Sequence, residues 1–224
     1  IKHKVFISAS AKWIFSDLKP NNFSIKNSSL NYRLNTFIKL INNNEVKHFN
    51  GDIELEEKYT ELAKKLLPKG QTYIGIAPGA GDKSKIWPLN KFIKLAKIQV
   101  DHNRIPVFFL GPDEKNLLET IKQNIPKAIF PEWTTEALNS GLKGPILVIA
   151  LAHQINVAIA NDSGTGHMFA TGGTKLISLF SKHNSIKYAP NAKKLLILDS
   201  KTWGGIDPNL IPLEEVEKSI NKLL

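Results

Sequence analysis

From residue 72 onward, short apolar runs that stop at Gly, Pro or Asn alternate with stretches of helical period, and this alternation constrains the chain more than any other feature. Residues 72–77 are almost wholly apolar and stop at Pro78-Gly79. Residues 105–110 stop at Gly111-Pro112, residues 156–160 run into Asn161-Asp162, and residues 175–180 and 195–198 repeat the pattern. Residues 127–130 read as a further, shorter strand. Apolar strands without polar alternation are buried on both faces. Helical patterns fill the gaps. One is opened by Pro88, with Phe92, Leu95 and Ala96 on one face, and one spans 113–124, with Leu117, Leu118 and Ile121 inward. An apolar one covers 145–154, a short one covers 164–171, and the last, opened by Pro212, carries Leu213, Val216, Ile220 and Leu223 in a stripe. The expectation is an α/β fold, a parallel sheet with helices on both faces. Its crossovers are right-handed and its ligand site lies beyond the carboxyl ends of the strands.

Residues 1–70 break that rhythm. They offer one strand (4–8), two helical stretches (34–41 and 55–67) and an Asn/Ser/Pro-rich loop over 19–28, too few elements for a sheet. They read as the tail of a preceding domain plus a connector, with 71–224 as a second domain. The chain opens at Ile1 and its only methionine is Met168, so the expectation is a piece of a longer protein. No apolar run approaches the roughly 20 residues that span a bilayer. With no cysteine, a disulfide framework, a thiolate nucleophile and cysteine-ligated zinc or iron–sulfur sites are excluded. The formal net charge is +10, but the lysines are spread along the chain without interleaved aromatics. That favours acidic ligands and an anionic membrane surface over nucleic acid. No Ser-His-Asp arrangement, His-Glu-x-x-His or Walker A pattern is present.

Three strand-end turns could carry chemistry. In Pro78-Gly79-Ala80-Gly81…Lys85-Ile86-Trp87-Pro88, glycines such as Gly81 bring backbone N–H groups close to an oxygen-rich ligand. Lys85 adds a point charge suited to a diphosphate. The alternative is a solvated loop. In Asn161-Asp162-Ser163-Gly164-Thr165-Gly166-His167, Asp162 or Ser163 can cap the following helix. Gly164 and Gly166 leave its first turn bare for an anion, and His167 can donate to a phosphate oxygen. The alternatives are a plain cap and a structural histidine. Charge makes Asp162 a partner for backbone or sugar hydroxyls rather than for phosphate. In Gly111-Pro112-Asp113-Glu114, a carboxylate at a strand end can hold the two hydroxyls of a ribose or simply satisfy the helix dipole.

Taken together, the two long turns and the closing Ile211-Pro212-Leu213-Glu214-Glu215-Val216 resemble the C-terminal half of glycosyltransferase family 9, the heptosyltransferases of lipopolysaccharide core assembly. The resemblance implies a GT-B fold of two Rossmann-like domains. Here 71–224 would be the donor-binding domain and 1–70 a remnant of the acceptor-binding one. It implies inverting, metal-independent transfer of a heptose from an ADP-linked donor to a lipopolysaccharide-type glycolipid acceptor. It also implies a cytoplasmic location with peripheral contact at the inner membrane, and no cofactor. By that likeness Lys85, the amides around Ser163 and Gly164, and His167 would contact the diphosphate, Glu114 the ribose, and Asp162 would lie near the sugar. The family's base sits in a loop expected upstream of Ile1. The chain departs from the family at Ser181-Lys182-His183-Asn184, where Gly-Pro-Thr is common, in a loop near the donor. Two other classes fit the same turns. A non-hydrolysing nucleotide-sugar epimerase would isomerise donor without acceptor, and a nucleotide-sugar-binding module would bind without transfer.

Overall fold

The computed structural model describes residues 53–224; the strand expected at 4–8 and the helix expected at 34–41 lie outside the described residues. The helix expected at 55–67 is α1 (Glu57–Leu66). A sheet of five parallel strands follows: β1 (Tyr73–Ala77), β2 (Ile105–Phe108), β3 (Val157–Asn161), β4 (Lys175–Phe180) and β5 (Leu195–Asp199), in the spatial order β2-β1-β3-β4-β5. The order reverses at β1, which lies between β2 and β3. In open sheets of this kind the crevice at the reversal, at the carboxyl ends, is where ligands bind.

Helices cover both faces, as the unbroken apolar strands require. Every residue of β1 and β3 is buried. Ile74, Ile76, Val157 and Ile159 face one core with Phe92, Leu95, Val216 and Ile220. These last come from α2 (Leu89–Asp101) and the closing helix Leu213–Leu223. Tyr73, Ala77, Ala158 and Ala160 face the other core with Leu147, Leu151 and Phe169. On that side the strand residues nearest the site are small. A Cβ on Gly166 would lie 3.5 Å from the Ala160 Cβ, so the helix after β3 runs close against the sheet.

Two expectations need correcting. Residues 127–130 do not form a strand; they make a single parallel bridge, Val107 to Ile129. Phe108 N donates to Ile129 O (2.8 Å) and Ile129 N donates to Pro106 O (2.9 Å). Pro106 has no N–H to offer the outer edge, and Pro126 and Pro131 bracket the segment, so pairing stops there. The helix over 113–124 is likewise divided, into a 3-10 segment Pro112–Leu117 and α3 (Leu118–Asn124). A short helix not foreseen, α4 (Thr135–Ser140), starts where Thr134 Oγ1 accepts from Ala137 N (3.1 Å). The apolar helix is α5 (Pro145–Ala152), buried from Leu147 to Ala152.

Helix α6 (Gly164–Thr171) ends at Gly172, where it meets α5. A Cβ on Gly172 would come within 2.7 Å of Ile149 O, a backbone atom that cannot step aside. Gly172→Ala should therefore destabilise the protein by about 1–3 kcal/mol, an overpacking cost. The thermal unfolding midpoint measures it, and an unchanged midpoint would show that α5 and α6 separate freely.

Candidate functional site

The carboxyl ends of β1, β2, β3 and β4 carry the four turns that matter. The link between two of them is Asn161, the last residue of β3, fully buried. Its Nδ2 donates to Pro78 O (2.8 Å) and more weakly to Gly79 O (3.4 Å). Its Oδ1 accepts from Trp87 N (3.0 Å). One amide thus fixes both ends of the glycine turn after β1. Trp87 is anchored again, its ring buried edge-on to Phe92 and its Nε1 donating to Ile211 O (3.1 Å). Within the turn, Asp82 Oδ1 accepts from Ser84 N (2.9 Å) and Ser84 Oγ (2.7 Å), closing the 3-10 segment Lys83–Lys85. Those bonds hold the Asp82 carboxyl below the usual carboxylate range.

Lys85 projects from that segment to Asp162. Its Nζ donates to Asp162 O (2.8 Å) and to Asp162 Oδ2 (3.1 Å), and the two side chains are only 12% and 9% exposed. The lysine is therefore a fixed cation rather than a mobile one. His183, in the loop after β4, reaches the same carboxylate oxygen, with Nδ1 2.7 Å from Oδ2. Asp162 so shares its charge between two cationic or protonatable neighbours and is held away from any anion. Its own backbone is pinned by Asp162 N donating to Leu179 O (2.9 Å).

Neither Asp162 nor Ser163 caps α6. Ser163 is the residue before the first turn, but its hydroxyl makes no capping bond. Ser163 Oγ is buried and lacks a hydrogen-bond partner among the described residues. A buried hydroxyl without a partner costs free energy unless something fills the role, and a ligand oxygen would. Gly164 and Gly81 are exposed and face open space, Gly81 with nothing within 4 Å of a Cβ position and Gly164 with only the Met168 side-chain tip at 3.9 Å. The N–H groups of the first helical turn have no intrahelical acceptors, so that end of α6 favours negative charge. His167 stands one turn in. Burial of part of the ring pushes its imidazole below the ordinary value while the charge of Asp162 pulls it back.

Glu114 comes to the first turn from the far side. Its carboxyl lies against the Cα of Gly79, and Oε2 would sit 2.9 Å from a Cβ on Gly111. Only residues without side chains leave room for that carboxyl. The structure thus brings Lys85 and Asp162 into contact, sets Ser163, Gly164 and His167 beside them on α6, and seats Glu114 on the turn that carries Gly81. Sequence reasoning missed two groups. His183 was noted only as a departure from a family pattern, and no spacing pointed to Asp162. Glu132 was not noted at all. It lies in the 3-10 turn Pro131–Trp133, whose Trp133 Nε1 donates to Leu110 O (3.0 Å) at the end of β2. Among the described residues no group of three His, Asp or Glu is placed to hold a metal ion. No helix of the described residues is long and apolar enough to cross a membrane.

Two measurements follow from these contacts. Asn161→Ala leaves the Trp87 N–H and the Pro78 carbonyl without partners, which should cost about 2–4 kcal/mol in urea unfolding. Burial pushes the Glu132 carboxyl up from 4.5 to about 7. Between those pH values the folded protein holds a proton that the unfolded chain has lost, so stability falls as pH rises through the window and levels off above it. The loss is up to about 3 kcal/mol. Glu132→Gln should flatten that dependence and raise the unfolding midpoint at pH 8 more than at pH 5; equal shifts at both would show that Glu132 does not titrate in this range.

The comparisons with known proteins agree with this architecture. Residues 31–207 match the model of glycosyltransferase family 9 (heptosyltransferase). The chain is 30% identical over 139 residues to the lipopolysaccharide core heptosyltransferase OpsX of Haemophilus influenzae, covering 62% of this chain and 37% of that protein. Among solved structures, the glycosyl transferase family 9 protein of Veillonella parvula superposes with a TM-score of 0.71 at 18% identity, over 84% of this chain and 57% of that one. The E. coli ADP-heptose heptosyltransferase II gives 0.60 at 20% identity, over 77% and 53%. The E. coli heptosyltransferase WaaC with ADP gives 0.58 at 12% identity, over 74% and 48%. The chain thus spans between 37% and 57% of the lengths of these relatives. The sheet and helices have the GT-B type of fold found in those solved neighbours. A family match that covers most of the chain, joined to a shared fold, establishes that this protein belongs to glycosyltransferase family 9, the heptosyltransferases.

Proposed function

We propose that residues 71–224 form the donor-binding domain of a heptosyltransferase that moves a heptose from an ADP-linked donor to a lipopolysaccharide-core acceptor. The observation that carries this reading is the cross-link between neighbouring strand ends. Lys85 and the start of α6 are held side by side by Asp162 and Asn161, placing a lysine next to free helix amides, the pairing a diphosphate would use. The names of the relatives supply the substrate class: a lipopolysaccharide core heptosyltransferase, an enzyme described as acting with ADP-heptose, and WaaC solved with ADP.

On this reading Lys85 Nζ and the amides of Ser163 and Gly164 bind the diphosphate, and His167 adds a hydrogen bond. Gly81 and Gly164 leave the phosphate oxygens room, and Ser163 Oγ gains the partner it lacks. Glu114 accepts from the ribose hydroxyls. Asp162 orients Lys85 beside the sugar rather than touching phosphate. The charge that develops on the leaving diphosphate is met by the lysine, the helix amides and an imidazole, so transfer proceeds without a divalent metal. The displacement inverts the anomeric carbon. No described residue is assigned as the base. Residues 1–70 belong to the acceptor-binding domain and connector. The protein works in the cytoplasm, and its net positive charge favours peripheral contact with anionic lipid.

Lys85→Ala in the full-length protein tests the reading. Loss of a buried charge-assisted contact to phosphate should weaken donor binding by about 10-fold or more. Because the same contact strengthens as the leaving group departs, kcat should fall as well. Steady-state kinetics with ADP-heptose give both numbers, and unchanged KM and kcat would remove Lys85 from the phosphate site.

A further inference from the structure

The loop after β4 presents a second imidazole. His183 Nδ1 lies 2.7 Å from Asp162 Oδ2. An ionised carboxylate only accepts, so Nδ1 carries the proton and donates. That bond directs Nε2 away from Asp162, since the two nitrogens lie on opposite sides of the ring. Nothing among the described residues bonds Nε2, and 43% of the side chain is open. The rest of the residue is restrained. Lys201 Nζ donates to His183 O (2.9 Å), and the Tyr188 ring flanks the imidazole at 5.2 Å between centroids. In the next residue, Asn184 Oδ1 accepts from Ile186 N (3.0 Å) and fixes the loop's exit into the short helix Ser185–Tyr188. A histidine held at its backbone, at Nδ1 and beside one ring face has one atom left to offer.

What that atom meets follows from its neighbour. The oxygen of Asp162 that takes His183 also takes Lys85 Nζ, at 3.1 Å. The imidazole therefore stands beside the cation assigned to the diphosphate. In an inverting displacement the acceptor and the leaving group occupy opposite faces of the sugar, so a group beside Lys85 serves the leaving group and not the acceptor. Ser181, at the start of the same loop, is 2% exposed and its Oγ has no partner among the described residues. This end of β4, like the end of β3, thus holds an unfilled polar group.

We propose that His183 contacts the donor, its Nε2 taking up a proton and donating to the diphosphate of the bound nucleotide-sugar. The proposal rests on the donor-site reading above and extends that site to the loop after β4. The groups that face the ring or adjoin it are Asp162 and Lys85 from the two turns, Lys201 and Asp199 from the end of β5, and Lys182 in the same loop. His167 on α6 also lies within the field of Asp162. Asp162 faces the ring at Nδ1; the diphosphate would bring negative charge to the open Nε2 side, and that charge favours the imidazolium form.

Calorimetric titration of the full-length protein with ADP-heptose, without acceptor, tests this in two buffers of different ionisation enthalpy. The diphosphate of a nucleotide-sugar is a diester that does not titrate near neutral pH, so any proton taken up on binding belongs to the protein. Proton uptake is expected for the wild type. His183→Asn should abolish most of it and weaken binding by about 10-fold, with an unchanged circular dichroism spectrum; His183→Gln, read the same way, guards against a folding defect. His167→Asn should retain the uptake. The inference is overturned if both His183 variants keep their affinity within about twofold together with the uptake, or if the uptake disappears in His167→Asn instead. Failure of the wild type to bind ADP-heptose at all would overturn the donor-site reading and this inference with it, whereas normal binding with inert His183 variants would overturn this inference alone.

Discussion

The site depends on a single buried amide. Asn161 ends the central strand β3 and uses both ends of its side chain, donating to Pro78 O and accepting from Trp87 N. No other side chain of that size offers a donor and an acceptor from one planar group. An aspartate would set a carboxylate against the Pro78 carbonyl, and a leucine would leave two buried backbone groups without partners. Because the amide joins the end of β3 to the turn after β1, the position of Lys85 relative to α6 is set by the sheet itself. Lys85 and the start of α6 thus sit on rigid elements rather than on a free loop, which is what the proposed stabilisation of a leaving group needs.

Around that joint the electrostatics are arranged in opposition. An acidic residue beside a diphosphate site would repel its ligand. Here Asp162 Oδ2 is paired with the Lys85 ammonium and also accepts from His183 Nδ1. What the carboxylate contributes is order: a buried lysine held by it loses little rotamer freedom when a ligand arrives. Ser163 shows the complementary condition. Its hydroxyl is buried, does not cap its helix and has no partner among the described residues, an unmet cost that a bound oxygen would offset.

Much of this was legible along the chain, because strands and strand-end turns are local patterns. The apolar runs gave their positions away by length and by their Gly, Pro or Asn stops. The two long turns could be placed at carboxyl ends, and the motifs in them pointed to Lys85, Ser163, Gly164 and His167. The contacts between turns were not legible. Lys85 and Asp162 are 77 positions apart, and no periodicity relates them. His183 was hidden for the same reason, since its meaning lies in a partner on another strand. Residues 127–130 misled because their side chains suit a strand, while the missing N–H of Pro106 limits pairing at that edge to one bridge. Glu132 read as an ordinary surface acid, and only its burial in the turn beside β2 raises its carboxyl. Ser163 is a good capping residue by type, yet its backbone does not turn the hydroxyl to that task.

The tie between Trp87 and the chain's far end bears on the order of folding. Trp87 Nε1 bonds Ile211 O across 124 positions, and Lys91 Nζ, in the helix that follows, reaches Asn209 O and Ile211 O. Asn161 meets Pro78 across 83. Contacts so distant in sequence close large loops and are gained only after nearer ones have lowered the entropy of the chain. The turn that carries Lys85 is therefore tied to a segment more than a hundred positions further along the chain. A chain that has formed its sheet but not yet seated the segment before its final helix would hold that turn through Asn161 without the second anchor at Trp87 Nε1. Such a chain has the fold's outline, with the Trp87 and Lys91 contacts to residues 209–211 still to close.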